Sequence, residues 1–318
     1  MRKAPCLALA FAAACSSAPP GAQTQRLSIA TGGTGGVYYV YGGALAQVLS
    51  RNLPGVEATA EVTAASVENL NFLAQGSADL AFSLADTASD AAAGRGRFQA
   101  ALPVCALASL YDNVTHIVVR AEGSVRSVPD LRGRRVSLGS PNSGTEVIAE
   151  RVLKAAGLEP SRDVTPERLG VSESAGALKD GKIDAFFWSG GLPTAAVMEL
   201  AATPGVSIRL VSDADLVPRL TEAHGPLYGV HDVPEGTYRG TPAARVSTVR
   251  NLLMVRQDMP EDLAYRVTRL LFEKKAELAA VHPAARDLDP ARAAVAPVAF
   301  HPGAIRYFRE VGAWKDPR

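Results

Sequence analysis

The apolar positions of this chain fall into short runs that alternate with helix-spaced segments. Leu27–Ala30 is a short apolar run that reads as a strand, and from Val37 the apolar spacing turns helical through Val40, Tyr41, Ala44 and Val48. Between them Gly32-Gly33-Thr34-Gly35-Gly36 breaks the pattern. The same alternation continues. Strands are expected at Glu57–Val62, Ala78–Ser83, Thr115–Arg120, Val136–Leu138, Ile183–Trp188 and Thr248–Val255. Helices are expected from Val67 with Ser66 as N-cap, from Asp86 to Gly94, from the Ser143 region to about Ala156, up to Ala202, over Leu263–Leu278, and in the tail after His301. Asp213–Arg239, with Pro218, Pro226 and Pro234, reads as loop-rich. Strands alternating with helices indicate an α/β fold.

Two strand-to-helix loops carry the candidate chemistry. The first is residues 32–36; the second is Gly139-Ser140-Pro141-Asn142-Ser143-Gly144-Thr145-Glu146. Each precedes a helix start, where free backbone N–H groups and the helix dipole favour an anion, and glycine lets a ligand come close. Neither loop is a dinucleotide or Walker motif: Tyr38 stands where the last glycine of G-x-G-x-x-G belongs, and no Gly-Lys-Ser/Thr follows. A glycine-rich turn without a ligand explains either loop alone; the pair suits a cleft with a helix N-terminus on each side.

Charge and composition exclude some classes. With 33 basic and 32 acidic residues, 47% hydrophobic and 20% charged, the chain has the make-up of a globular protein and no basic stripe for nucleic acid. Arg132, Arg134 and Arg135 form a local cluster that reads as solvated surface. G-x-S-x-G and H-E-x-x-H are absent, and the histidines at 116, 224, 231, 282 and 301 are scattered, so no catalytic residue, metal site or cofactor is assigned.

Residues 1–22 read as an export signal, with Arg2 and Lys3 before the apolar run Leu7–Ala14. Removing them leaves 31 basic and 32 acidic residues. Two processing readings stay open. Cleavage after Ala22 puts Pro20 at the minus-three position; alternatively Ala12-Ala13-Ala14-Cys15 resembles a lipobox, ending the signal at residue 14 and acylating Cys15. Either way the protein is expected outside the cytoplasmic membrane, periplasmic or tethered to its outer face, with Cys105 left as a small buried apolar residue.

Taken together, TGGTGGVYYVYGGALAQVLS (31–50), SVENLNFLAQGSADLAF (66–82), VPDLRGRRVSLGSPNSGTE (128–146), LKDGKIDAFFW (178–188), LAYRVTRLLFE (263–273), AVHPAAR (280–286) and HPGAIRYFREVG (301–312) resemble the TAXI family. These are the extracytoplasmic solute receptors of one branch of the TRAP transporters. The resemblance implies a two-lobed, periplasmic-binding-protein-like (type II) α/β fold with two mixed sheets and a hinge. Residues 23–119 plus 245–318 would form lobe 1 and residues 120–244 lobe 2, with Thr115–Arg120 and Thr248–Val255 crossing between them. It implies a receptor without enzymatic activity that captures a small acidic metabolite, such as glutamate or another dicarboxylate, and hands it to a TRAP-type membrane permease. The ligand-binding positions it carries over are Thr34, Gly35, Gly36 and Tyr39, then Ser143, Gly144 and Thr145, with Ser83, Asp86 and Trp188 lining the pocket. The chain departs from the family at Ala64-Ala65, where glycines are usual, at Ser83–Asp86, which lacks a Gln, and at the extra glycine of Ser189-Gly190-Gly191. A sensor that works without a permease and an exported enzyme acting on small acids are the alternative readings.

Overall fold

The computed structural model describes residues 24–315, so the export-signal and Cys15 readings lie outside the described residues. The chain opens with β1 (Gln25–Ala30), α1 (Val37–Asn52), β2 (Val56–Glu61), α2 (Ser66–Gln75), β3 (Leu80–Leu84) and α3 (Ala85–Ala93). A long strand, β4 (Val104–Arg120), leads to β5 (Arg135–Ser137), α4 (Gly144–Ala155), β6 (Thr165–Glu167), α5 (Val171–Lys179), β7 (Ala185–Gly190) and α6 (Ala195–Ala202). Then come β8 (Ile208–Leu210), α7 (Val217–His224), β9 (Tyr228–Val233) and the second long strand, β10 (Ala244–Arg256). Helices α8 (Glu261–Glu273), α9 (Lys275–Val281), α10 (Pro290–Ala293) and α11 (Pro302–Glu310) complete it.

The strand order β2-β1-β3-β10-β4-β7-β5-β6 makes one hydrogen-bonded path where the resemblance implies two sheets. The reason is the length of β4 and β10. They pair antiparallel from Thr248–Val114 to Arg256–Val104, so one end of the pair sits beside β3 and the other beside β7 and β9. Sequence periodicity reads only the Thr115–Arg120 end of β4. Its other residues are almost all buried, as expected of a central strand, and a continuous apolar run carries no alternation to recognise. On either side, β1 pairs β2 and β3 in parallel, and β5 pairs β6 and β7 in parallel.

Helix α1 buries Val37, Tyr38, Tyr41, Leu45, Val48 and Leu49 along one face against β1 and β3. Helix α3 stops at Gly94, whose φ of +61 is the left-handed conformation that glycine adopts without penalty. The 213–239 segment holds a helix and a strand that its prolines hide. Pro218 sits in the first turn of α7, where a missing N–H costs nothing, and β9 runs along β10 with an exposed face. The expected helix over 263–278 is divided at Lys274, which caps α8 and starts α9. Ser66 is not the cap of α2: it is the first residue of the helix, and its Oγ accepts a hydrogen bond from Leu84 N at 3.1 Å.

A buried carboxylate stands next to the crossing strands. Asp213 accepts from Ser247 N and Ser247 Oγ, both at 2.7 Å, yet burial outweighs these bonds and raises its pKa from 3.8 to about 6. A carboxyl raised above its unfolded value contributes stability below pH 3.8 that is lost as pH rises through about 6. The difference corresponds to about 3 kcal/mol. Chemical denaturation at pH 4 and pH 7 should therefore show wild type losing about 2 kcal/mol more than Asp213→Asn over that interval, since part of the effect is already lost at pH 4.

Candidate functional site

Four strand ends meet where the two halves of the sheet face each other: Gly32 after β1, Leu84 at the end of β3, Gly139 after β5, and Ser189-Gly190 at the end of β7. Open α/β sheets place ligands beyond the C-terminal ends of their parallel strands. A cavity of about 50 Å³ lies there.

Four helix N-termini border it. Gly36–Tyr38 open α1, Ala65-Ser66 open α2, Ser143–Thr145 open α4 and Gly170-Val171 open α5. Two come from the β1–β3 half and two from the β5–β7 half. The first amides of a helix have no intrahelical partner, and α1, α2 and α5 have no side-chain cap either. Only α4 is capped, with Ser143 Oγ accepting from Glu146 N at 3.0 Å. The remaining wall is Val37, Ala64, Leu84, Leu169 and Trp188, joined by Tyr111, Asn113, Ser140 and Ser189. None of the lining residues is Asp, Glu, Lys, Arg, His or Cys. Such a site can hold an anion on backbone amides and hydroxyls.

Ala65 carries strain. Its φ of +86 lies in the left-handed region that a side chain disfavours, at a cost of roughly 1–3 kcal/mol. The residue sits in the cavity wall.

Trp188 is held from behind. Its Nε1 donates to Thr194 Oγ1 at 2.9 Å, and Thr194 Oγ1 donates to Gly191 O at 2.8 Å. Thr194 N donates to Tyr238 Oη at 3.1 Å, and Tyr238 Oη lies 2.7 Å from His116 Nε2. His116 Nδ1 faces Val114 O at 2.9 Å. A carbonyl only accepts, so Nδ1 bears the proton and Nε2 accepts from Tyr238. Burial lowers the His116 pKa to about 4, which keeps the ring neutral and the relay intact at neutral pH. Below the cavity, Tyr38 donates to Asn251 Oδ1, Asn251 Nδ2 donates to Asn113 Oδ1 at 2.7 Å, and Asn113 Nδ2 donates to Ser189 O at 3.2 Å.

Of the residues expected to hold ligand, Gly36, Ser143, Gly144, Thr145 and Trp188 line the cavity. Thr34, Gly35, Tyr39, Ser83 and Asp86 are not among its lining residues. Thr34 is exposed on the rim, and Gly35 abuts the other half, where an added Cβ would lie 2.3 Å from Ser172 Oγ. Tyr39 is 36% exposed and faces away, because residue 38 shares the buried helix face with Tyr41 and Leu45. Ser83 is buried and donates to Leu84 O at 3.1 Å. Asp86 is buried in an ion pair with Arg151 Nη1 at 2.7 Å and accepts from Tyr228 Oη at 3.0 Å. It therefore ties α3 to α4 and β9 instead of facing the cavity. Sequence reading missed Tyr38, Tyr111, Asn113, Ser189 and the α5 N-terminus. Helix phase could have found Tyr38; the others sit on a buried central strand, a strand end and a polar loop with no motif.

A family model described as NMT1-like matches residues 29–312. The chain belongs to the NMT1-like family. Among solved structures, this family member is similar to the periplasmic aliphatic sulphonate binding protein SsuA of Escherichia coli. The two share 16% identity with a TM-score of 0.50, over 92% of this chain and 80% of that one. It is also similar to a putative L-cystine ABC transporter protein of Listeria monocytogenes, at 16% identity and TM-score 0.51 over 81% and 94% of the two chains. An ancestral arginine-binding protein bound to arginine matches at 15% identity and TM-score 0.50, over 82% and 98%. At these identities the likeness is one of fold: an α/β periplasmic-binding-protein-like architecture with a mixed sheet and flanking helices. Among the described residues no helix is long and apolar enough to cross a membrane.

Proposed function

We propose that the protein is an extracytoplasmic solute-binding receptor that captures a small anionic metabolite between its two halves and delivers it to a membrane permease, of the TRAP type with TAXI-like ancestry. One observation carries this reading: four helix N-termini, two from each half, border one interhalf cavity whose lining holds no Asp, Glu, Lys, Arg or His. A ligand there is bonded by both halves, so it binds the closed arrangement better and shifts the population towards it. Charge-assisted bonds contribute roughly 1.5–3 kcal/mol each, enough for micromolar affinity from three or four after ordering costs. β4 ends at Arg120 and β10 starts at Ala244, which supports lobes of residues 23–119 plus 245–318 and of residues 120–244. The similar structures support the same reading: they include binding proteins for an aliphatic sulphonate and for arginine, and an L-cystine ABC transporter protein.

The test is a melting-temperature and tryptophan-emission screen of the mature chain against monocarboxylates, dicarboxylates including glutamate, and inorganic oxyanions. A ligand at a hundred times its Kd adds about 2.7 kcal/mol of stability and raises the melting temperature by several degrees. Trp188 lines the cavity, so its emission changes on occupancy. A folded protein that responds to no anion in the screen overturns the reading.

A further inference from the structure

We infer that the ligand carries a single negative charge on a carboxylate and has a short uncharged body, an acid the size of propionate in preference to a dicarboxylate or glutamate. The inference rests on the receptor reading above and narrows its ligand. Space is the first argument. The cavity measures about 50 Å³, on a scale where one water takes roughly 10–15 Å³. That is room for about four water-sized groups, close to the roughly five non-hydrogen atoms of a short monocarboxylate and well short of the roughly ten of glutamate.

Charge is the second argument. The lining holds no Arg, Lys or His to meet a second carboxylate. The positive field comes only from helix N-termini, each equivalent to about half a charge. One delocalised charge suits them. A second, displaced by a carbon chain, would be buried against Val37, Leu84, Leu169, Val171 and Trp188 with no cation to pair it. The same apolar wall suits an alkyl body and gives an inorganic dianion nothing to bond.

Two further observations point to an occupant. Tyr111 and Ser189 are cavity residues buried beyond nine-tenths, and their hydroxyls have no hydrogen-bond partner in the protein. Buried polar groups left in this state are satisfied by a ligand or an ordered water. Ala65, also in the wall, keeps a methyl group on a backbone conformation that glycine would hold without strain. Trimming this wall residue to glycine should relieve the strain and loosen the cavity wall.

Isothermal titration of the mature chain with acetate, propionate, succinate, glutamate and sulfate tests the inference. Propionate or acetate should bind at least about tenfold more tightly than succinate, glutamate or sulfate. Ala65→Gly should narrow that ratio by improving succinate and glutamate binding, while Ser189→Ala and Tyr111→Phe should each weaken propionate about tenfold without lowering the melting temperature. Tighter binding of succinate, glutamate or sulfate than of either monocarboxylate overturns the inference and leaves the receptor reading standing. A folded protein that binds none of the five overturns the receptor reading, and the inference with it.

Discussion

Arg151→Met should destabilise the protein by about 3–5 kcal/mol, the largest loss expected from a substitution outside the cavity. Arg151 leaves α4, in one half of the molecule, and reaches α3 in the other. There its Nη1 bonds Asp86 at 2.7 Å and its Nη2 bonds Asp90, while Tyr228 Oη accepts from Nη1 at 2.9 Å. The Asp86 side chain is wholly buried and that of Arg151 is 11% exposed. Burial works against the Arg151 charge, but the Asp86 and Asp90 carboxylates and the hydrogen bond to the Tyr228 oxygen outweigh it and raise its pKa well above the ordinary guanidinium value. Methionine keeps much of the side-chain bulk and removes the cation, leaving a fully buried carboxylate with Tyr228 Oη, Thr87 N and Thr87 Oγ1 as its neutral donors. The expected fall in melting temperature is about 6–10 °C. Adding Asp86→Leu should recover most of the loss, because a buried ion pair exchanged whole for apolar groups is often neutral. A loss below about 1 kcal/mol for the single variant would show that the pair contributes no more than an exposed one.

The same clasp has a meaning for motion. Asp86 and Arg151 belong to opposite halves, as do Glu68 N and Asn142 O at 3.2 Å, and Arg97 and Glu150 at 2.7 Å. Separation of the halves must break these contacts together. Arg151→Met should therefore also raise the open fraction of ligand-free protein, which small-angle scattering reads as a larger radius of gyration.

Much of this was readable from the chain, for identifiable physical reasons. Strands β1, β3, β5 and β7 are short apolar runs bounded by glycine or polar turns, and the helices after them start at recognisable breaks. The two glycine loops were legible because a strand, a loop and a helix start must leave free amides at their junction, whatever the tertiary context. Tyr39 enters the expected site through the family resemblance, whereas helix phase favours Tyr38, three residues before the buried Tyr41. Asp86 looked like a pocket residue because it follows a strand end; the partner that claims it, Arg151, is 65 residues away. No local pattern announces such a pairing. The N-terminus of α5 was illegible for a related reason: Gly170 becomes part of the site only when β5, β6 and β7 align side by side. The closeness with which the halves pack around the cavity is likewise a property of the assembled molecule.

That closeness makes Gly144→Ala the most damaging expected change for binding. Gly144 opens α4, and a Cβ placed on it would lie 2.5 Å from Ser66 Oγ and 2.7 Å from Leu84 Cδ1, both in the opposite half. Leu84 cannot withdraw easily, since it is buried at the end of β3 and its N donates to Ser66 Oγ. Within its own half the substitution is benign. Alanine is the better helix former, by about 1 kcal/mol in a helix interior, so α4 itself should not weaken. The clash exists only when the halves meet. A ligand would then have to bond one half at a time, giving up at least two charge-assisted hydrogen bonds of roughly 1.5–3 kcal/mol each. The expected result is an affinity lower by about a hundredfold or more, with far-ultraviolet circular dichroism unchanged. Gly36→Ala is the companion case, its Cβ falling 2.8 Å from the Trp188 ring. Titration of both variants with the ligand found for wild type would settle the matter: undiminished affinity in Gly144→Ala would mean that binding does not require the halves to approach as they do here, and the two-sided grip would have to be abandoned.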